Sequence, residues 1–218
     1  DISEQKQREE HIQFIADELS HRSKNLLSVV QSIIRYTVIH SPQQDFIKRI
    51  NERLQALSAN QDLLIESSWR GVGMDTLVRS QLNHVEKLPL DRVELEGDSI
   101  ALVPTAAQAI SIAIHELATN AVKFGALSSA TGRVAISWRV EPREDGRELI
   151  LNWKESGGPA VSAPEYAGFG STIIEKITGQ SVGGRVVTSY APTGLSWELR
   201  APADTLLDVS VATSPRDK

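Results

Sequence analysis

The first third of the chain repeats apolar residues at alternating spacings of three and four. This repeat places the apolar side chains on one stripe of an α-helix, so it requires a long helix that packs against a partner. The stripe has one polar position, Arg22, and it predicts a helix from about residue 4 to about residue 39. The repeat consists of Ile12, Ile15, Leu19, Arg22, Leu26, Val29, Ile33 and Tyr36.

A second helix of the same kind is predicted directly afterwards. Ser41 suits the N-cap, Pro42 the first helical position, and Gln44 completes a capping box. The two helices predict an antiparallel hairpin over residues 1–68. Two helices bury little surface alone, so we expect a partner, either a second copy of the chain or the remainder of this one. The stripes favour a dimeric four-helix bundle, and a monomer stays open. The second stripe consists of Ile47, Ile50, Leu54, Leu57, Gln61 and Leu64.

Composition excludes several classes of function. The 218 residues include no cysteine, which rules out disulfides, thiolate zinc sites and cysteine nucleophiles. A net charge of -5 argues against a dedicated nucleic-acid binder. No apolar run approaches the roughly 20 residues of a membrane-spanning helix, and the polar first residues do not resemble a signal peptide. We therefore expect a cytoplasmic location. Because the chain starts without Met, we also expect it to be a piece of a longer protein.

The remainder of the chain predicts an α+β domain. A glycine-containing stretch at residues 69–73 marks a linker, residues 74–203 carry helix and strand patterns, and residues 204–218 have no clear period. The order of elements predicts a mixed sheet with helices on one face. The predicted helices are Met74–Val85, Pro104–Phe124 and Ser171–Gly179; the predicted strands are Val93–Glu96, Arg133–Glu141, Arg147–Glu155, Arg185–Tyr190 and Leu195–Ala201; and Ser156–Gly168 is a predicted loop.

One side of the long helix Pro104–Phe124 carries the polar residues Glu116, Asn120 and Lys123. Asn and Glu oxygens suit Mg²⁺ when phosphates and waters complete its shell, and Lys123 would offer a point charge to a phosphate. The alternative is a solvated helix face with no ligand.

Two glycine-containing segments follow. Glu155 ends a strand immediately before Gly157 and Gly158, where a carboxylate can accept the adenine amino proton and glycines let the backbone approach a flat ring. The segment Gly168-Phe169-Gly170 opens a helix whose free N–H groups would form an anion site. Alone, the first could be a tight turn and the second is a weak motif. Their order, after the Asn-bearing helix, points to a nucleotide.

His21 is a candidate nucleophile beside the apolar stripe of the first helix. Arg22 and Lys24 are neighbouring cations that would attract a phosphate, and Asn25, one turn later, could position a water. A surface histidine without a function is the alternative.

Together these segments resemble the N, G1 and G2 boxes of the ATP-binding domain shared by sensor histidine kinases and DNA gyrase. More narrowly, the chain resembles the HWE family of histidine kinases, which is named for a His in the N box and a Trp-x-Glu in the G1 box. Here these residues are His115 and Trp153-Lys154-Glu155. The stretches from Glu116 to Ser128 and from His21 to Asn25 are also close to the family pattern. The resemblance covers about residues 15 to 201.

The resemblance implies a Bergerat-type ATP-binding fold and an ATP-dependent protein-histidine kinase. It implies that His21 is phosphorylated, that Asn120 holds Mg²⁺, that Glu116 orients the metal's water shell and that Glu155 binds adenine. The phosphoryl group would then pass to an aspartate of a response regulator. The first ten residues also resemble the exit of a PAS or LOV sensor domain, so we expect such a domain upstream.

Two rival functions remain open at this stage. One is a histidine phosphotransfer or scaffold protein with a degenerate nucleotide domain. The other is an ATPase or serine kinase on the same fold, which would not need His21. Arg22 also stands where commoner kinases have an acidic residue after the histidine, so the acceptor of the His21 proton is left undetermined.

Overall fold

The computed structural model describes residues 71–161 and 173–208. The predicted hairpin over residues 1–68, with the predictions made for His21 and Asn25, lies outside these residues. No helix in the described ranges is long and apolar enough to cross a membrane.

The described residues form an α+β domain built on one mixed sheet. The strands run in the spatial order β2-β4-β5-β7-β6, with β2 parallel to β4 and all other neighbours antiparallel. The five strands are β2 (Val93–Gly97), β4 (Arg133–Arg143), β5 (Gly146–Ser156), β6 (Arg185–Ala191) and β7 (Gly194–Pro202).

Alternation along the three inner strands gives the sheet one buried face and one largely polar face. The register sets Ile136 opposite Trp153, and Trp153 opposite Trp197. All three side chains are at most 1% exposed. Alternate residues of a strand point to the same face, so the core side of the sheet can be identified from its burial pattern. Its further members are Val134, Trp138, Leu149, Leu151, Leu195 and Leu199.

Two α-helices supply much of the rest of the core. Helix α1 covers Met74–Asn83, and helix α2 covers Pro104–Lys123 with its proline in the first turn. Buried residues of α2 recur at Ile110, Ile114 and Leu117, as an amphipathic helix requires. The prediction of a mixed sheet with helices is confirmed.

The residues described after the predicted loop begin with a helix type that the sequence did not predict. Residues Ile173–Ile177 form a π-helical turn, and α3 (Thr178–Ser181) continues it. The indole Nε1–H of Trp197 donates to the carbonyl oxygen of Ile174 at 2.7 Å. A central strand of the sheet thereby fixes the first described turn of this segment.

Three short elements were not expected from the sequence. Strand β1 (Val72–Gly73) pairs antiparallel with β3 (Ala101–Leu102), so the end of the predicted linker joins a small second sheet. Helix α4 (Ala203–Leu206) follows β7, and Leu207 bridges to Leu102. Residues 204–208 therefore pack with the domain, although the sequence showed no period there.

We expect Leu206 to anchor this terminal helix. Its side chain is 5% exposed and its carbonyl oxygen accepts the Val103 N–H at 2.8 Å. Leu206→Ala should lower the free energy of unfolding by about 2–3 kcal/mol, because it leaves a cavity in the core. Thr205→Ala is the matched control, since Thr205 is exposed and bonds only to Pro202 within its own turn. Urea denaturation measures both, and equal losses would contradict the assignment.

Candidate active site

The polar residues on one side of helix α2 become more exposed toward the end of the helix. Glu116 is 7% exposed, Asn120 is half-buried and Lys123 is exposed at the last position of the helix. The next residue, Phe124, is 70% exposed. The predicted residues Glu116, Asn120 and Lys123 therefore do lie along one side. Phe124 has the spacing of the apolar face of this helix, so the sequence predicts that it is buried, and this prediction is wrong because Phe124 is exposed beyond the last helical residue.

The side chain of Asn120 is available to a ligand. Its backbone carbonyl accepts the N–H groups of Phe124 at 2.8 Å and Gly125 at 2.9 Å, which ends the helix. Its side-chain amide makes no hydrogen bond to any described residue. Mg²⁺ at phosphate sites usually takes one or two protein oxygens and completes its shell with phosphates and waters. The amide oxygen of Asn120 is therefore of the type that fits this metal.

Glu155 stands at the end of β5 with its carboxylate inside the protein. The residue is 3% exposed. Its Oε2 accepts the backbone N–H of Ala126 at 2.7 Å, and its Oε1 accepts the indole Nε1–H of Trp153 at 3.2 Å. Trp153 and Glu155 are two residues apart and both buried, so they share the core face of the strand. The carboxylate therefore joins β5 to the loop that follows α2.

The surroundings of Glu155 shift its ionisation. Burial raises the pKa of its carboxyl above the usual range, while the hydrogen bonds from the Ala126 N–H and the Trp153 indole act in the opposite direction. Both donors favour the ionised form, and burial is the larger effect.

Two glycines permit this close packing. A Cβ at Gly125 would overlap the Glu155 carboxylate, and a Cβ at Gly158 would overlap the Cα of Ala126. The sequence predicted that Gly157 and Gly158 admit a ligand ring. The structure shows Gly158 packed against the Ala126 backbone, and the approach of a ligand ring stays a prediction.

The Ala126–Gly132 loop is held at further points. The hydroxyls of Ser129 and Thr131 donate to the Gly157 carbonyl at 3.1 and 3.0 Å. From the residue before β2, Arg92 Nη1 donates to the carbonyls of Ser129 at 2.5 Å and Gly132 at 3.3 Å. Sequence reasoning missed Arg92, Ser129 and Thr131. Ser129 and Thr131 directly follow the N-box stretch, whereas nothing near Arg92 signals its contact.

The third predicted segment is not described. Gly168, Phe169 and Gly170 lie outside the described residues, so their role as an anion site stays a prediction.

Comparison with known proteins identifies the family. The model of the HWE histidine kinase family matches residues 18–99. The chain contains an HWE histidine kinase domain. The His115 and Trp153-x-Glu155 signature described above lies on α2 and β5 of the same chain. The resemblance seen in the sequence is confirmed.

Curated relatives extend the match over nearly the whole chain. A blue-light-activated histidine kinase of Brucella anthropi is 32% identical over 203 residues, 93% of this chain and 41% of the relative. The Brucella ovis protein of the same name is 30% identical, with 93% and 42% covered. The chain thus spans about two fifths of the length of these relatives.

Solved structures support the fold. The Erythrobacter litoralis EL346 blue-light activated histidine kinase matches with a TM-score of 0.54 at 20% identity, over 85% of this chain and 58% of that one. The histidine kinase domain from that protein gives 0.52 at 15% identity, over 71% and 75%. At these identities the likeness concerns the fold alone, and it agrees with the five-stranded mixed sheet.

We predict that Glu155→Gln makes the stability of the protein less sensitive to pH. Because the folded-state pKa of Glu155 is raised, its contribution to folding is fully present at acidic pH and is lost as pH rises from about 4 through that pKa. Glutamine also loses one acceptor for the Ala126 or Trp153 N–H, a loss independent of pH. Stability relative to wild type should therefore shift in favour of the variant as pH increases. Denaturation between about pH 4 and 7 tests this, and a constant difference would contradict it.

A second prediction concerns Gly158. Gly158→Ala should lower the free energy of unfolding by about 1–3 kcal/mol, because the new methyl group meets the Ala126 backbone, which cannot move aside easily. Gly73→Ala is the matched control: its Cβ would meet only Thr76, at 3.5 Å. Thermal unfolding compares the two, and a neutral Gly158→Ala would show that the loop is not tightly packed there.

Proposed function

We propose that this chain is the catalytic core of a sensor histidine kinase that phosphorylates His21 from Mg-ATP. One observation of the described residues carries the proposal. The backbone after α2 bonds on one side to Asn120, through Gly125 N–H, and on the other to Glu155, through Ala126 N–H. The proposed metal-binding residue, through its backbone carbonyl, and the proposed adenine-binding residue, through its carboxylate, thus belong to one hydrogen-bonded unit. Such preorganisation is what a nucleotide site needs.

Each residue of this unit would bind a different part of the nucleotide. The Asn120 side chain would ligate Mg²⁺, Glu116 would orient water around it and Lys123 would contact a phosphate. Glu155 would accept the adenine amino proton through its remaining lone pairs, since a carboxylate can accept more than two hydrogen bonds. Exposed Phe124 would add a flat apolar surface for the base. Gly157 and Gly158 line the turn, and the Gly168-Phe169-Gly170 segment would bind phosphate oxygens through its N–H groups.

The reaction is an in-line phosphoryl transfer. A ring nitrogen of His21 attacks the γ-phosphorus, an N–P bond forms, and the bond to the β,γ-bridging oxygen breaks to release ADP. Mg²⁺ held by Asn120 would offset the negative charge of the phosphates. Neutral imidazole is nucleophilic at pH 7, and Asn25 would position a water near it. The neighbouring Arg22 cannot accept the displaced proton, because its guanidinium is already protonated. The displaced proton would pass to Asp17 or Glu18, the nearest carboxylates in sequence, or to a residue of the other domain.

The wider assignment completes a two-component pathway. The phosphoryl group would pass from His21 to an aspartate of a response regulator. The relatives named as blue-light-activated kinases support a PAS or LOV sensor domain upstream of residue 1. The apolar stripes of residues 12–64 support a homodimer through a four-helix bundle, and a cytoplasmic location agrees with these partners.

Labelled ATP tests the function. In the presence of Mg²⁺, the wild-type chain should acquire a label that acid removes and base leaves, as expected for phosphohistidine. His21→Ala should abolish the label, and Asn120→Ala should slow labelling by about 100-fold, because the metal loses its protein ligand. His84→Ala is the matched control, since His84 is exposed on the first residue after α1 and should not matter.

The outcomes separate the rival functions. A label that survives acid, or that persists in His21→Ala, would disprove histidine phosphorylation. ATP hydrolysis without any label would favour an ATPase, and absence of Mg-ATP binding would favour a degenerate phosphotransfer protein.

A further inference from the structure

Arg92 makes a contact that neither the family signature nor the proposed chemistry uses. It is half-buried at the end of a short 3₁₀ turn, directly before β2. One guanidinium nitrogen donates to two backbone carbonyls, those of Ser129 and Gly132, about 40 residues further along the chain. Among the described residues it has no carboxylate partner. Its charge is therefore directed at the loop itself.

Sheet topology explains how Arg92 reaches this loop. Strand β2 pairs in parallel with β4, and their first partners are Val93 and Val134. The residues immediately before the two strands, Arg92 and the end of the Ala126–Gly132 loop, must therefore lie side by side. A long guanidinium side chain can span that distance and bond to more than one carbonyl.

On its other side the same loop holds the turn at the end of β5. Ser129 and Thr131 hydroxyls donate to the carbonyl of Gly157, and the Ala126 N–H donates to Glu155. The loop thus lies between Arg92 and the Glu155–Gly158 turn, with hydrogen bonds to both.

We propose that Arg92 is a positioning residue for ATP binding, which fixes the Ala126–Gly132 loop and, through it, the Glu155–Gly158 turn that meets the base. The inference rests on the proposed ATP site. Without the guanidinium, the Ser129 and Gly132 carbonyls lose their charged donor and the loop gains freedom. Nucleotide binding would then have to order the turn, and this would lower the affinity for ATP.

The test compares Arg92→Gln with Arg133→Gln in the 218-residue chain. Arg133 carries the same charge at the start of the neighbouring strand β4. It is exposed, however, and its guanidinium forms a long ion pair of 3.9 Å with Glu94. We expect Arg92→Gln to raise the KM for ATP in autophosphorylation by about tenfold, with kcat within about twofold, because the contact affects binding and not the transferred phosphoryl group. Arg133→Gln should change neither. A KM of Arg92→Gln equal to that of Arg133→Gln would overturn the inference.

A double-mutant cycle tests the route through the loop. Thr131→Val removes a hydroxyl that donates to the Gly157 carbonyl, whereas Arg92 donates to the carbonyls of Ser129 and Gly132. If the loop transmits the effect, the KM increase of the double variant is smaller than the product of the two single increases. Simple multiplication would show that Arg92 does not act through the loop.

Two further controls distinguish a failure of the proposed function from a failure of the role proposed for Arg92. A wild-type chain that binds no Mg-ATP would disprove the proposed function, whereas normal wild-type binding with an unaffected Arg92→Gln disproves only the role of Arg92. If Arg92→Gln is too unstable to purify, Arg92→Lys replaces it. Its ammonium lacks the planar fork, so KM should rise less, by about threefold, and an unchanged KM would count against the inference.

Discussion

The Ala126 backbone is the point on which the candidate site depends. Its N–H donates to the buried carboxylate of Glu155, and its Cα lies where a Cβ at Gly158 would overlap it. A buried N–H without an acceptor is costly, and so is an ionised carboxylate without donors. The Ala126 N–H and the Glu155 carboxylate therefore satisfy each other's hydrogen bonding. Moving the loop would break this hydrogen bond and leave both buried groups without a partner, so the contact holds the end of α2 against the end of β5.

The family signature acquires a structural meaning from this contact. Trp153 and Glu155 are one hydrogen-bonded pair on the core face of β5, and Trp197 lies directly opposite Trp153 on β7. Their indole N–H groups donate to the Glu155 carboxylate and to the Ile174 carbonyl. The aromatic pair therefore fills the centre of the core and also holds two buried polar groups in place.

Much of the fold was predictable because its strands alternate and its long helix keeps a regular apolar stripe. These are local patterns, and β4, β5, β7 and α2 all follow them within two residues of the expected ends. Two-residue strands such as β1 and β3 carry no such pattern, since only their mutual pairing defines them. In the site, Asn120 and Glu155 could be selected from spacing and chemistry. Arg92 could not, because its role depends on a parallel register that brings distant residues together.

The parallel pairing of β2 with β4 has a consequence for folding. A parallel pair needs a crossover connection, and here that connection is residues 98–132, which contain α2 with Glu116, Asn120 and Lys123. The pairing of β2 with β4 therefore requires this connection to cross from one strand to the other. Closing a long loop before its contacts form is entropically slow, so this step should come late in folding. Because α2 lies in this connection, we expect a chain with an unpaired β2 to lack an ordered polar side of α2, and with it the candidate site as a whole.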